Sequence, residues 1–243
     1  MRILITNDDG IASAALPRLA AWASKLGEVT VVAPHIEQSG MSQAIDFKHP
    51  VTIKRVTLQE CEAMEAWAMQ STPADCVRFG VTGLKRSYDL VLSGINRGYN
   101  LGDDIAYSGT VGAIFEAARL GIRAIAFSTD FDSFDNAFCE LDAVYDFITE
   151  NNLLACASLL NVNIPTKPSR GIVLTRQGGT FYTDAFVKCG EDSYMQVGEP
   201  ACYESDDLSI DILALQHGYV SVSPLTYQKT DLAAFEKLKG LQS

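Results

Sequence analysis

Arg2-Ile3-Leu4-Ile5-Thr6-Asn7-Asp8-Asp9-Gly10, with Val29-Thr30-Val31-Val32-Ala33-Pro34 after it, is the stretch that decides the fold. Ile3 to Ile5 is a short apolar run that stops on a polar turn. The β-branched run from Val29 is of the kind buried on both faces of a parallel sheet. Between them Leu16, Leu19, Ala20, Ala23 and Leu26 recur at helical spacing, and Gly27 ends that helix. Strand, helix, strand in this order predicts a βαβ unit with a right-handed crossover.

The same alternation extends outward. Val51–Val56 and Ala63–Met69 read as weaker strands near an edge, and Thr72 caps a helix that Pro73 opens and that covers 74–80. Asp89–Leu92 is a further strand, and Ser93 begins a long loop rich in glycine and asparagine. Thr110–Leu120 is a helix closed by Gly121, Ile122–Phe127 a strand, Asn136–Thr149 an amphipathic helix and Leu159–Ile164 a strand. Past Pro165 the texture changes. Ile172–Thr175 and Tyr219–Ser223 are strand-like, and Asp231–Leu238 suits a short helix. The glycine-, tyrosine- and acid-rich segment between those strands lacks helical periodicity and predicts hairpins that project toward a subunit interface. The expected division is 1–165 as an α/β core carrying the site, with 166–243 supplying strands, hairpin and terminal helix that partly return to it.

A chain of 243 residues, 47% hydrophobic, buries enough for one large domain, with or without an appendage. Its net charge of -11 opposes stable binding to nucleic acid or an anionic membrane, both of which need a basic footprint. A small anionic substrate remains compatible, because a metal ion supplies positive charge locally. No basic or long apolar stretch precedes Arg2 and none later reaches transmembrane length, so neither a signal peptide nor a membrane span is expected. The six cysteines are scattered without a CxxC pair, which predicts a reduced, cytoplasmic chain with free and mostly packed thiols.

Ligands of an open parallel sheet bind beyond the carboxyl ends of its strands. Three polar loops leave strand ends here: Asn7–Gly10, Pro34–Ser42 and Ser93–Thr110. Adjacent carboxylates such as Asp8 and Asp9 raise one another's pKa, a penalty that Mg²⁺ or Mn²⁺ with oxygen ligands removes. The competing reading is an Asx-turn with Asp9 capping the first helix. In the second loop Ser39 offers a hydroxyl beside Gly40, and His35 lies nearby. In the third, Asn96 offers a carbonyl oxygen and Arg97 a cation for a substrate oxygen or for an ion pair. Ser108, Gly109 and Thr110 open a helix, where amides and hydroxyls cradle phosphate. Asp103 and Asp104 suit either a second ionic site or loop ordering. Walker A, dinucleotide and nucleophile-elbow patterns are absent.

These residues resemble those of the SurE family, the stationary-phase-survival nucleotidases. The likeness runs through Ile3 to Ile11, Val31 to Pro34, Glu37 to Gly40, Thr72 to Cys76, Ser93 to Gly112, Leu160 to Pro165 and Gly218 to Leu225, nearly the whole chain. It implies a Rossmann-like three-layer fold with a mostly parallel sheet and a C-terminal β-hairpin extension exchanged between subunits, giving a homodimer or homotetramer. It implies a phosphomonoesterase acting on nucleoside 5'- and 3'-monophosphates, in some members also on short polyphosphate. One Mg²⁺ or Mn²⁺ per subunit would be held at Asp8, Asp9, Ser39 and Asn96. Asp8, Asp9, Asn96 and Ser108 are the catalytic candidates; Asn96, Arg97, Ser108, Gly109 and Thr110 are the candidates to hold the substrate phosphate. The expected attack at phosphorus is by water, with a serine nucleophile as the alternative. Other readings are a broader phosphate-ester or phosphoanhydride hydrolase and a nucleotide-sensing module without turnover. The chain departs from the family pattern at His35-Ile36, usually Asp-Arg, at Ala12 to Ala15, commonly a histidine and a glycine turn, and at Ile210, usually Thr before Asp211.

Overall fold

The computed structural model describes residues 1–241. The chain runs β1 (Arg2–Thr6), α1 (Ala15–Ala23), β2 (Glu28–Pro34), β3 (Ile53–Leu58), β4 (Cys61–Met69), α2 (Pro73–Arg78) with a π-turn at Phe79–Gly83, and β5 (Leu90–Arg97). A 3-10 turn at Gly102–Ala106 leads into α3 (Gly109–Arg119), then β6 (Arg123–Thr129), α4 (Asp135–Glu150), α5 (Leu153–Cys156) and β7 (Leu159–Asn163). The last part is β8 (Ile172–Leu174), β9 (Tyr182–Lys188), β10 (Tyr194–Pro200), α6 (Asp211–Gln216), β11 (Val220–Leu225), α7 (Leu232–Leu238) and a closing 3-10 turn at Lys239–Leu241.

One nine-stranded sheet has the order β3-β4-β2-β1-β5-β6-β7-β11-β8. The pairs β2–β4, β1–β2, β1–β5, β5–β6 and β6–β7 are all parallel, while β3 and β11 run antiparallel to their inner neighbours. Period-two alternation sorts the central strands between two cores. Ile3, Ile5 and Val31 pack with Leu16 and Leu19 of α1 and Leu141 and Val144 of α4 on one face. Leu4 and Val32 pack with Cys76 and Val77 of α2 and Val111 and Ile114 of α3 on the other. Helices on both faces of a mostly parallel sheet give the Rossmann-like three-layer fold. β8 and β11, from beyond residue 165, belong to this same sheet, whereas β9 and β10 form a separate antiparallel hairpin.

Three details differ from the expectations. β5 does not stop at Leu92: its polar end stays extended to Arg97, pairing Asn96 with Ser128 and Arg97 with Thr129 after a register shift past Ser93. Helix α6 lies in a segment expected to be strands and hairpins, because six residues are too few to show a periodicity. The thiols are all free, but Cys139, Cys156, Cys189 and Cys202 are exposed and only Cys76 is fully buried. Two of the exposed four flank the projecting hairpin rather than a core.

Helix α3 is fixed by a buried carboxylate. Glu116 is 2% exposed and accepts hydrogen bonds from Arg78 of α2 (3.0 Å), Arg119 (2.7 Å) and Gln43 (3.0 Å). Burial by itself would raise its pKa, but the bonds from Arg119, Gln43 and Arg78 outweigh that and hold the carboxyl below its ordinary value. A depressed folded-state pKa means stabilisation present above the unfolded value and lost as pH falls through the folded one. Glu116→Gln is expected to cost about 2 kcal/mol at neutral pH in urea denaturation. The gap from wild type should shrink as pH falls below the ordinary glutamate range; a pH-independent gap would contradict this.

Candidate functional site

The strand order turns back between β1 and β5, so their carboxyl ends diverge into a crevice, the usual ligand position in such sheets. The turn after β1 is closed by Asn7, whose Nδ2 donates to Gly10 O (2.9 Å) while its Oδ1 accepts from Gly10 N (3.2 Å). Asn7 thus takes the turn-forming role and leaves both aspartates free. Gly10 has φ +92°, and a Cβ there would lie 3.0 Å from the Ile36 carbonyl carbon, so the second loop can sit directly on the first. Gln38 N donates to Asp8 O (2.7 Å) across the same junction.

Asp9 does not cap the first helix. Helix α1 begins only at Ala15, without a side-chain cap. The helix that meets the pair is α3, which is capped by Ser108 Oγ accepting from Val111 N (3.1 Å). Thr110 N donates to Asp8 Oδ2 (3.1 Å) and the Thr110 hydroxyl to Asp8 Oδ1. Gly109 permits this approach, since a Cβ there would stand 3.0 Å from Asp8 Cβ. Asp9 Oδ2 accepts from Arg97 N (3.2 Å).

Asp8 is 4% exposed, and its pKa is raised by burial against the opposing Thr110 bonds. Burial and then the Asp8 charge push Asp9 up to about 7, and Glu37 adds to the rise at both. A cavity of about 550 Å³ is lined by Asp8, Asp9, Glu37, Ser39, Asn96, Arg97 and Ser108, among others. Ser39 Oγ donates its proton to Glu37 Oε1 (2.7 Å), which leaves oxygen lone pairs available. Asn96 Nδ2 donates to Gly98 O (2.8 Å), which leaves its carbonyl oxygen available. Among the described residues, Arg97 is the only cationic side chain on the cavity wall.

This donor set fits a hard divalent cation. The available groups are all oxygens, and burial has made their negative charge costly without a counter-ion. Among the described residues no three His, Cys, Asp or Glu side chains cluster as a metal site. Two carboxylates, a hydroxyl and an amide oxygen suit an ion that keeps several waters, as Mg²⁺ does.

The predicted phosphate cradle divides. Asn96, Arg97 and Ser108 line the cavity, whereas Gly109 and Thr110 do not. Thr110 spends both donors on Asp8 and so holds that carboxylate. His35 faces a neighbouring hollow instead. Asp103 and Asp104 order the loop, bonding Gln177, Thr180 and Tyr182 N. Asn7, Glu37 and the aromatic wall of Tyr107, Phe131 and Tyr182 were not singled out from sequence. Glu37, two positions before Ser39, carried the one available signal, a third carboxylate in a polar strand-end loop.

A three-layer α/β protein with an acidic, oxygen-lined crevice at its switch point is the class these features define. The chain matches the family described as Survival protein SurE over residues 3–184, and it belongs to that family. It is 38% identical to a protein of Pelotomaculum thermopropionicum named 5'-nucleotidase SurE, covering 99% of this chain and 95% of that one. It is 39% identical to 5'-nucleotidase SurE 1 of Thermus thermophilus, covering 99% and 98%. The crystal structure of a SurE protein from Aquifex aeolicus superimposes over 100% of both chains, with a TM-score of 0.83 and 32% identity.

Thr110→Val keeps the shape and the N–H but removes the hydroxyl that holds Asp8. Its affinity for Mn²⁺, measured by calorimetric titration, is expected to fall about ten-fold. Wild-type affinity would show that Asp8 is held by other means.

Proposed function

We propose that this chain is a metal-dependent phosphomonoesterase that hydrolyses nucleoside 5'- and 3'-monophosphates to nucleoside and inorganic phosphate. The observation that carries the reading is the carboxylate pair of buried Asp8, set against the N-terminus of α3, and half-buried Asp9, in one cavity with Ser39 and Asn96. Family membership and the 5'-nucleotidase names of relatives at 38–39% identity support it. Asp8, Asp9, Ser39 and Asn96 would hold one Mg²⁺ or Mn²⁺. Bound there, the ion would supply Lewis acidity to the phosphoryl oxygens and to the water that attacks phosphorus.

The chain's own residues do the positioning. Thr110 fixes the Asp8 carboxylate, and the Arg97 amide fixes Asp9. The Ser108 hydroxyl accepts from Val111 N and keeps its own proton free to donate to a phosphate oxygen. Arg97 brings positive charge to the same wall, its guanidinium 5.7 Å from the centre of the Phe134 ring. The exposed apolar residues of the β9–β10 hairpin, Phe186, Val187, Tyr194 and Met195, support assembly into a homodimer or homotetramer. Among the described residues no helix is long and apolar enough to cross a membrane.

Phosphate release from nucleoside monophosphates should require Mg²⁺ or Mn²⁺, vanish on chelation and return on adding metal. Asp8→Asn and Asp9→Asn should each lower kcat at least about a hundred-fold with the thermal transition retained. Near-normal turnover in both variants, or full turnover after exhaustive chelation, would refute the assignment. Saturable nucleotide binding with no phosphate release would point to a sensing module instead.

A further inference from the structure

Asn161 and Asn163 of β7 are fully buried amides that line no part of the cavity. Buried amides are costly unless they are paired, and these two are paired on one residue of the loop between β5 and α3. Asn163 Oδ1 accepts from Asn100 N (2.9 Å) and its Nδ2 donates to Asn100 O (2.9 Å). One side chain thus takes both backbone groups, as a neighbouring strand would. Asn161 Nδ2 donates to the same carbonyl (2.8 Å), while its own Oδ1 has no partner among the described residues, so this amide acts only as a donor. Asn100 Nδ2 completes the joint by donating to Ser128 Oγ of β6 (2.7 Å). A second buried side chain holds the same loop further on. Asp211, which opens α6, accepts from Gly102 N at Oδ2 (2.9 Å) and from Gly178 N and Ile212 N at Oδ1 (both 2.8 Å). Asp103 N donates to Gly179 O (2.9 Å) at the same junction.

Resting on the phosphomonoesterase reading, we propose that these are positioning residues, each setting a different half of the site. Asn163, helped by Asn161, aims Asn96 at the metal ion, and Asp211 places Ser108 for the phosphate. None of the three touches ion or substrate. The route from Asn163 is short, since Asn96, Ser128 and Asn163 stand on one row across β5, β6 and β7. The Asn96 carbonyl oxygen is left for the ion because Nδ2 is held by Gly98 O. Gly98 lies between two fixed points: its own N donates to Thr129 O (2.8 Å), and Asn100 follows two residues on. Releasing Asn100 frees Gly98 O to turn, and the Asn96 amide with it. The route from Asp211 runs the other way along the loop. Gly102 opens the 3-10 turn Gly102–Ala106, which delivers Tyr107 and then Ser108, the cap of α3. Asp8 is held separately, by Thr110 inside α3, whose frame Glu116 fixes. The two anchors therefore have separable effects.

The test is calorimetric titration of wild type, Asn163→Ala, Asn161→Ala and Asp211→Asn with Mn²⁺, then of each Mn²⁺-loaded protein with orthophosphate. Thermal unfolding and AMP turnover are measured beside it. Asn163→Ala should weaken Mn²⁺ binding about ten-fold, and Asn161→Ala, which leaves one of the two donors on Asn100 O, about three-fold. Asp211→Asn keeps an oxygen for Gly178 and Ile212 but turns an N–H toward Gly102 N. It should hold Mn²⁺ affinity within about two-fold and weaken orthophosphate binding about ten-fold, with KM for AMP raised to match. Asn163→Ala should instead recover most of its turnover at high Mn²⁺. A merely structural role would move both affinities together, in step with the unfolding temperature. That pattern, or wild-type affinities in Asn163→Ala and Asp211→Asn, overturns the proposal. Where either of these fails to fold, Asn161→Ala decides by the same split: Mn²⁺ affinity lowered with orthophosphate affinity kept supports it, and any other result overturns it. Wild type that binds Mn²⁺ and orthophosphate but releases no phosphate from any nucleoside monophosphate overturns the phosphomonoesterase reading and leaves the positioning in place.

Discussion

A carboxylate buried as deeply as that of Asp8 has lost its water, and the start of α3 supplies donors that offset part of that loss. Thr110 gives Asp8 both its amide and its hydroxyl, and Gly109 omits the side chain that would block the approach. The partial positive charge of a helix N-terminus adds to the same effect. For this to happen, α3 must begin at the carboxyl end of β1. The parallel pairing of β1 with β5 and the clamp of Glu116 between α2, α3 and Gln43 put it there. Much of the architecture serves that one contact.

The contact still leaves the site short of positive charge. Asp9 lies beside Asp8, Glu37 faces both, and burial pushes Asp9 up to about 7. Burial and the adjacent Asp8 charge make the Asp8-Asp9 pair costly without a cation or a proton, and Ser39 and Asn96 on the same wall offer oxygens suited to Mg²⁺ or Mn²⁺.

Much of the fold could be read from the chain because its signals are local. The apolar runs at Ile3 and Val29 and Thr72-Pro73 before the second helix each report a boundary through nearest-neighbour chemistry, whereas the first helix ends at Ala23, a short turn before Gly27. The three loops that carry Asp8, Asp9, Ser39 and Asn96 could be brought together because the ends of parallel strands converge, and the family resemblance singled out these four residues within them. What escaped depends on contacts distant in sequence. Thr110 looked like a phosphate donor until its partner Asp8, on another strand, was in view. The polar end of β5 reads as loop unless Ser128 and Thr129 stand beside it. Asp211 accepts from Gly102 N (2.9 Å) and Gly178 N (2.8 Å), fastening the short helix α6 to the loop before α3, and neither partner is near it in the chain. The exposed cysteines were misjudged for a related reason: Cys189 and Cys202 lie at a hairpin that projects, and Cys139 and Cys156 on exposed positions of α4 and α5.

The central claim is that the Asp8-Asp9 crevice holds a divalent cation in contact with a phosphate group. Anomalous diffraction from crystals grown with Mn²⁺ and orthophosphate tests it most directly. The account predicts one strong Mn²⁺ peak per chain bounded by oxygens of Asp8, Asp9, Ser39 and Asn96, with phosphate beside it facing Ser108 and Arg97. A saturated crystal with no peak in that crevice, or with its Mn²⁺ bound elsewhere, would contradict it.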